Sequence, residues 1–78
     1  MDKKVVIYST PTCHFCQAVK GFFKENNVEY TEYDVSTDQE KRAEMIEKSG
    51  QMGVPVVFIG EEMTIGFDEP KLKKELGL

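Results

Sequence analysis

Cysteine and histidine are scarce in this chain. Among 78 residues there are two cysteines, Cys13 and Cys16, and one histidine, His14. A secreted mini-protein held by a disulfide framework needs more cysteines at wider spacing, so that class is excluded. These three residues offer too few ligands for tetrahedral zinc, which argues against a zinc site in one chain. An iron–sulfur cluster shared by two chains stays open, because two thiolates from each would complete a Cys₄ set.

Long apolar runs and basic clusters are also absent. Residues 1–4 lead straight into a short apolar stretch without the apolar region of a signal peptide, so we expect a cytoplasmic protein without membrane contact. Ten Lys and Arg stand against 14 Asp and Glu, and no basic cluster could follow a phosphate backbone, so we expect no nucleic-acid partner. No repeat or linker interrupts residues 1–78, which we expect to form one monomeric domain.

The hydrophobic patterning predicts an α/β fold with the element order β-α-β-α-β-β-α. The first β-α-β unit should give two parallel strands and the later hairpin an antiparallel pair. A fully apolar run at 56–59 predicts a central strand, and the acidic residues of 29–35 predict an edge strand. The predicted strands are 4–8, 29–35, 56–59 and 63–65, with a tight turn at 60–61.

The first predicted helix follows Cys13 and ends at Asn26-Asn27. Its apolar residues recur at intervals of three and four, which is typical of one buried face. We therefore expect this face to lie in the core. Its members are Phe15, Ala18, Val19, Phe22 and Phe23.

Polar residues at 36–40 predict the start of the second helix. Two overlapping capping boxes are present, with Ser36 or Thr37 as the first residue, and Gly50 should end the helix. The last helix should begin after Asp68 as its cap, with Pro70 in the first turn, and Leu72 and Leu76 should face inward.

The pattern Cys13-His14-Phe15-Cys16 lies where a buried strand passes into a helix. A thiolate is the reactive form of cysteine, and the free N–H groups and positive dipole end of a helix stabilise it. Cys13 should therefore be the exposed nucleophile. Cys16, one turn deeper, should be the thiol that closes a disulfide onto Cys13. A Cys-x-x-Cys pair at such a junction is typical of a redox motif.

With two further motifs, at 50–55 (Gly-Gln-Met-Gly-Val-Pro) and at 65–68 (Ile-Gly-Phe-Asp), the chain resembles the glutaredoxin family over essentially all 78 residues. The resemblance implies a thioredoxin-like fold with a four-stranded mixed sheet and three helices. It implies catalytic roles for Cys13 and Cys16, and a cis peptide bond before Pro55 that faces the disulfide. The residues it places along a groove for substrate or glutathione are Thr12, His14, Phe15, Gln51, Val54, Pro55, Gly66, Phe67 and Asp68.

The chain departs from the family pattern at four positions: Gly53 stands where a threonine is usual, Ile65 stands where the first of two glycines is usual, and the other two positions concern charge. Many glutaredoxins carry a lysine three residues before the first cysteine, where this chain has Thr10, and a basic residue after the glutamine, where it has Met52. Two cationic contacts to glutathione are therefore missing. We expect glutathione to be bound less well than in lysine-bearing relatives.

The resemblance implies a thiol–disulfide oxidoreductase that reduces protein or glutathione mixed disulfides and needs no bound cofactor. Glutathione, or a flavoprotein thioredoxin reductase with NADPH, would supply the electrons. Two alternatives stay open. The first is a redoxin that depends on thioredoxin reductase and serves one dedicated reductase. The second is a module that binds a metal or an iron–sulfur cluster and passes no electrons.

Overall fold

The computed structural model describes residues 4–78. Residues 1–3, which were expected to lead straight into the first strand, lie outside this part. The described part contains the seven predicted elements in the predicted order. The strands are β1 (Val5–Ser9), β2 (Thr31–Asp34), β3 (Val56–Ile59) and β4 (Glu62–Ile65). The helices are α1 (His14–Glu25), α2 (Gln39–Ser49) and α3 (Glu69–Leu76).

The four strands form one mixed sheet in the order β2-β1-β3-β4. β1 and β2 are parallel, and the two remaining pairs are antiparallel, which confirms the predicted connectivity. The apolar strand β3 has a neighbour on both sides, and β2 lies at an edge, as expected. β2 is shorter than the predicted 29–35, because its ladder with β1 extends only from Thr31 to Asp34.

Alternate residues of the inner strands face two separate hydrophobic clusters. Ile7 and Val57 belong to the first cluster, which contains residues of α1 and α3. Tyr8 and Val56 belong to the second, which contains Met45 of α2. Side chains alternate between the two faces of a strand, so the helices cover both faces of the sheet. The chain thus forms three layers, with β1 and β3 buried in the middle.

The caps at Gly50 and Asp68 are confirmed, and the capping boxes at 36–40 are wrong. Gly50 ends α2 with φ +74°, and Asp68 caps α3. α2, however, is capped by Asp38, whose carboxylate accepts the Lys41 N–H at 3.0 Å. Ser36 is already engaged by Asp34, whose carboxylate accepts the Ser36 N–H at 2.9 Å. This Asx turn already engages Ser36, so the helix begins later than predicted, at Gln39.

The expected burial of Phe15 is also wrong. Cys16, Val19, Phe22 and Phe23 form the buried face of α1, whereas Phe15 is 64% exposed. Phe15 and Phe22 are seven residues apart and share one side of the helix. Phe15 lies in the first turn, however, and neither hydrophobic cluster extends that far along α1. Periodicity gave the correct side of the helix but not the end of the core.

Candidate active site

Cys13 occupies the N-cap position of α1. Its backbone is extended (φ −88°, ψ 114°), and its Sγ accepts the N–H of Cys16 at 3.1 Å. An N-cap side chain satisfies one of the free N–H groups at the start of a helix, and a negatively charged acceptor makes such a bond stronger. The first turn of α1 contains no acidic residue that would oppose a thiolate. The Cys13 sulfur therefore accepts one helix N–H and has no carboxylate beside it in the first turn of α1.

Cys16 lies in a very different environment from Cys13. Both cysteines are free thiols, but Cys13 is partly exposed and Cys16 is fully buried. Burial, reinforced by the hydrogen bond with Cys13, raises the pKa of the Cys16 thiol to about 12. At neutral pH Cys16 is therefore a protonated thiol shielded from solvent, whereas Cys13 can be approached from outside.

The strand register brings three separate segments to the end of the sheet where Cys13 lies. Tyr8 pairs with Val56, and Val56 pairs with Ile65. After Tyr8, β1 ends at Ser9 and the chain continues through the connection at 10–12 to Cys13, while Pro55 comes directly before Val56 and Gly66 directly after Ile65. The Gly66 N–H donates to the Pro55 carbonyl at 2.9 Å, which fixes the last two segments together.

The peptide bond between Val54 and Pro55 is cis, as expected. Pro55 is buried, whereas Val54 is partly exposed. Within residues 4–78, neither the N–H nor the C=O of Val54 forms a hydrogen bond. Unpaired backbone groups at the edge of a sheet can pair with an added extended segment. Val54 thus offers such an edge at the same end of the sheet as Cys13.

Gly66, Phe67 and Asp68 connect β4 to α3. Gly66 has φ +81°, a conformation that glycine adopts without a steric cost. The Phe67 ring packs against Phe22 with centroids 6.2 Å apart, so Phe67 is partly a core residue. The carboxylate of the exposed Asp68 accepts the Lys71 N–H at 3.3 Å and so caps the start of α3.

The remaining predicted groove residues are mostly exposed. Thr12 and His14 flank Cys13 and face solvent, and neither side chain forms a hydrogen bond or ion pair within the described part. An effect of His14 on Cys13 would therefore act through its charge. Met52 is 60% exposed in the segment before Pro55, and Ile65 is 48% exposed at the end of β4. Phe15, in the first turn of α1, is a third exposed apolar side chain, whereas Ile65 pairs with Val56 and so lies on the other face of the sheet, which α2 covers.

An ion pair beneath α1 was missed by the sequence analysis. Lys20 donates to the Glu32 carboxylate at 2.7 Å, and the buried Ser9 hydroxyl donates to the same oxygen at 2.7 Å. These hydrogen bonds, from Lys20 first, lower the pKa of Glu32. The positive charge of Lys20 acts on Cys16 in the direction opposite to burial. Lys20 follows Cys16 by four residues, and residues at this spacing share one helix face. The sequence alone could therefore have indicated that Lys20 lies near Cys16.

Cys13 is partly exposed at the start of α1. Two cavities, of about 950 and 280 Å³, occur elsewhere, and neither is lined by Cys13 or Pro55. Among residues 4–78, no group of three or more His, Cys, Asp and Glu side chains is arranged to hold a metal ion. None of the helices in this range is both long and apolar enough to cross a bilayer.

Comparison with known proteins gives the family. The family model described as Glutaredoxin matches residues 5–64. The chain belongs to the glutaredoxin family. Glutaredoxin 3 of Escherichia coli K12 is 34% identical over 65 residues, which cover 83% of this chain and 78% of that protein. This family membership makes the chain a glutaredoxin-like redox protein, and the family uses glutathione as its reductant.

Two further proteins are similar over nearly the whole chain. An uncharacterised glutaredoxin-like 8.6 kDa protein in the rubredoxin operon of Clostridium pasteurianum is 37% identical over 70 residues, covering 90% of this chain and 93% of that protein. The crystal structure of the thioredoxin-like protein BC3987 superposes with a TM-score of 0.87 and 36% identity, covering 92% of this chain and 99% of that one. These matches confirm the thioredoxin-like fold.

Proposed function

We propose that this glutaredoxin-family protein reduces disulfides of protein substrates through Cys13 and Cys16. The observation that carries the proposal is the difference between the two thiols. Cys13 Sγ is reachable and accepts a helix N–H, whereas Cys16 is fully buried and stays protonated. A nucleophile must be reachable and ionised, and a resolving thiol must be protected from outside attack.

The reaction proceeds in two exchanges. The Cys13 thiolate attacks one sulfur of the substrate disulfide, which forms a mixed disulfide and releases the other substrate sulfur as a thiolate that takes up a proton. Cys16 then loses its proton and attacks Cys13 Sγ, which releases the second substrate thiol. The substrate gains two electrons, and the protein keeps an internal Cys13–Cys16 disulfide.

Substrate binding would use the unpaired backbone of Val54 and the exposed apolar side chains of Phe15 and Met52. An extended segment around the substrate disulfide would pair with Val54, while apolar side chains beside it would contact Phe15, two residues after Cys13, and Met52, three residues before Pro55. The groove would be completed by the other residues that the family resemblance implies, Thr12, His14, Gly66, Phe67 and Asp68. This arrangement favours protein disulfides over small polar ones, because the exposed side chains of Phe15 and Met52 are apolar.

The internal disulfide must be reduced again by an external dithiol or by two thiols. Two glutathione molecules can do this and leave as glutathione disulfide, or a flavoprotein reductase can transfer two electrons from NADPH. Thr10 and Met52 offer no positive charge to the carboxylates of glutathione. We therefore propose that thioredoxin reductase is the better electron donor and that glutathione is a weak one.

Turnover of one protein disulfide, with insulin as the substrate, tests the proposal. The protein is assayed with glutathione and glutathione reductase, and in parallel with thioredoxin reductase and NADPH. Cys13→Ser should abolish turnover with both donors, and Cys16→Ser should accumulate the mixed disulfide. Full activity of Cys13→Ser would refute the proposed nucleophile. Faster turnover with glutathione would refute the proposed donor.

A further inference from the structure

The segment between α2 and Pro55 is held by an unusual side-chain contact. The Gln51 amide makes two hydrogen bonds to the backbone of Gly53. Its Nε2 donates to the Gly53 carbonyl at 3.0 Å, and its Oε1 accepts the Gly53 N–H at 2.7 Å. We call this pair of bonds the Gln51 clamp. The Ser49 hydroxyl fixes the base of the same segment: its one proton is shared between the carbonyls of Met45 (2.6 Å) and Gln51 (3.0 Å), and its oxygen accepts the Gln51 N–H at 3.4 Å.

Glycine at position 53 is explained by the clamp and not by backbone torsion. The φ of Gly53 is not positive, so its backbone conformation is open to alanine. A Cβ at this position, however, would lie 2.8 Å from Gln51 Oε1. The obstructing atom is the end of a flexible side chain, so an alanine would displace the Gln51 amide without itself clashing with the backbone. Gly53 is therefore required for the clamp alone.

The clamp lies directly before the backbone groups that the proposed function assigns to the substrate. Within the described residues Val54 has no backbone hydrogen bond of its own, and the next fixed point is the Pro55 carbonyl, held by Gly66. Without the clamp, the segment from Gln51 to Val54 would have fewer fixed points and would lose more conformational freedom when a substrate binds, which weakens binding.

We propose that Gln51 is a positioning residue, whose clamp on Gly53 holds the Val54 backbone in the conformation that pairs with the substrate. This inference rests on the proposed function. Gln51 acts through Gly53 and is not assigned a contact to the reacting sulfurs. Losing the clamp should therefore weaken substrate binding and leave the chemistry at Cys13 unchanged.

Gln51→Ala, Gly53→Ala and the double variant test this inference, with insulin as the substrate and dithiothreitol as the reductant. Each single variant should raise the KM about three- to tenfold, the range expected for one or two net hydrogen bonds. The kcat and the rate of Cys13 alkylation by iodoacetamide should not change. The double variant should be no worse than either single one, because both remove the same contact. Gly21→Ala is the matched control, because Gly21 lies in α1 with open space around its Cβ position. This variant should keep the wild-type KM.

Amide hydrogen exchange gives a readout that does not depend on activity. The Gly53 N–H should exchange several times faster in Gln51→Ala than in the wild type or in Gly21→Ala. Equal exchange in all three would show that the clamp is not formed. An unchanged KM in both single variants, or a raised KM in Gln51→Ala alone, would overturn the positioning role. Failure of the wild type to reduce insulin, with normal Gly53 protection, would refute the proposed function and leave the clamp as a purely structural contact.

Discussion

The burial of Cys16 predicts a very slow reaction with alkylating reagents, even when Cys13 is absent. With its pKa raised to about 12, roughly one Cys16 thiol in 10⁵ would be ionised at pH 7, against about one in 30 for a free thiol with a pKa of about 8.5. The thiolate is the reacting form, so this difference alone slows labelling about 3,000-fold. Full burial of the side chain adds a steric barrier.

The assay compares Cys13→Ser with Cys16→Ser, each of which leaves one thiol. Iodoacetamide labelling is followed by mass spectrometry from pH 7 to pH 9. Removal of the Cys13 thiol also removes a hydrogen bond and a charge that raise the pKa of Cys16, but burial is the larger cause and remains. Cys16 should thus still react at least about 100-fold more slowly than Cys13 at pH 7. The same variants in urea should react at similar rates, which controls for the substitutions. Comparable rates for the two folded variants at pH 7 would refute the reasoning.

Three further outcomes are expected. Hydrogen bonds from Lys20 and Ser9 lower the pKa of Glu32, so its contribution to stability is present above its ordinary range and is lost as the pH falls. Glu32→Gln should lower the free energy of unfolding by about 0.5–1 kcal/mol at pH 7, because the pair is partly exposed, and much less at pH 3. Gly21→Ala should raise the free energy of unfolding by about 0.5–1 kcal/mol in denaturant titrations. Thr10→Lys should raise glutathione-dependent kcat/KM about three- to tenfold, and added salt should reduce the gain; an unchanged value would show that this position does not select the reductant.

Local sequence signals predicted most of the fold. The apolar run of β3, the glycine that ends α2 and the cap at Asp68 each specify a structure through their immediate neighbours, and each is confirmed. The position of Cys13 at the start of α1 also followed from local features, namely an apolar strand, a short connection and a helical pattern. Such signals need no knowledge of how distant segments pack.

The errors and omissions depend on contacts that the local pattern does not contain. Three polar residues in a row could cap α2, and Asp38 became the cap because Asp34 engages Ser36. The burial of Phe15 depends on where the core ends, which periodicity does not report. Gln51 was predicted to lie at the groove, but its bonds to Gly53 follow from the conformation of the segment, which only the structure gives.

The electrostatics of Cys16 suit the order of the two proposed exchanges. In the reduced protein, burial first, and then the hydrogen bond and charge of Cys13, raise the pKa of Cys16, while a hydrogen bond with the Thr10 backbone and, more weakly, the charge of Lys20 lower it. Once Cys13 has joined a substrate in a mixed disulfide, it carries no thiolate charge, so one of the causes that hold the proton on Cys16 is lost. Cys16 then loses its proton more readily, and the Lys20 charge is still in place to stabilise the thiolate. Burial, the largest cause, remains, and the reaction of Cys13 removes only the charge that adds to it. Lys20→Met should slow the second exchange, measured as decay of the mixed disulfide, and leave the first unchanged; an equal loss in both would show that Lys20 only supports the fold.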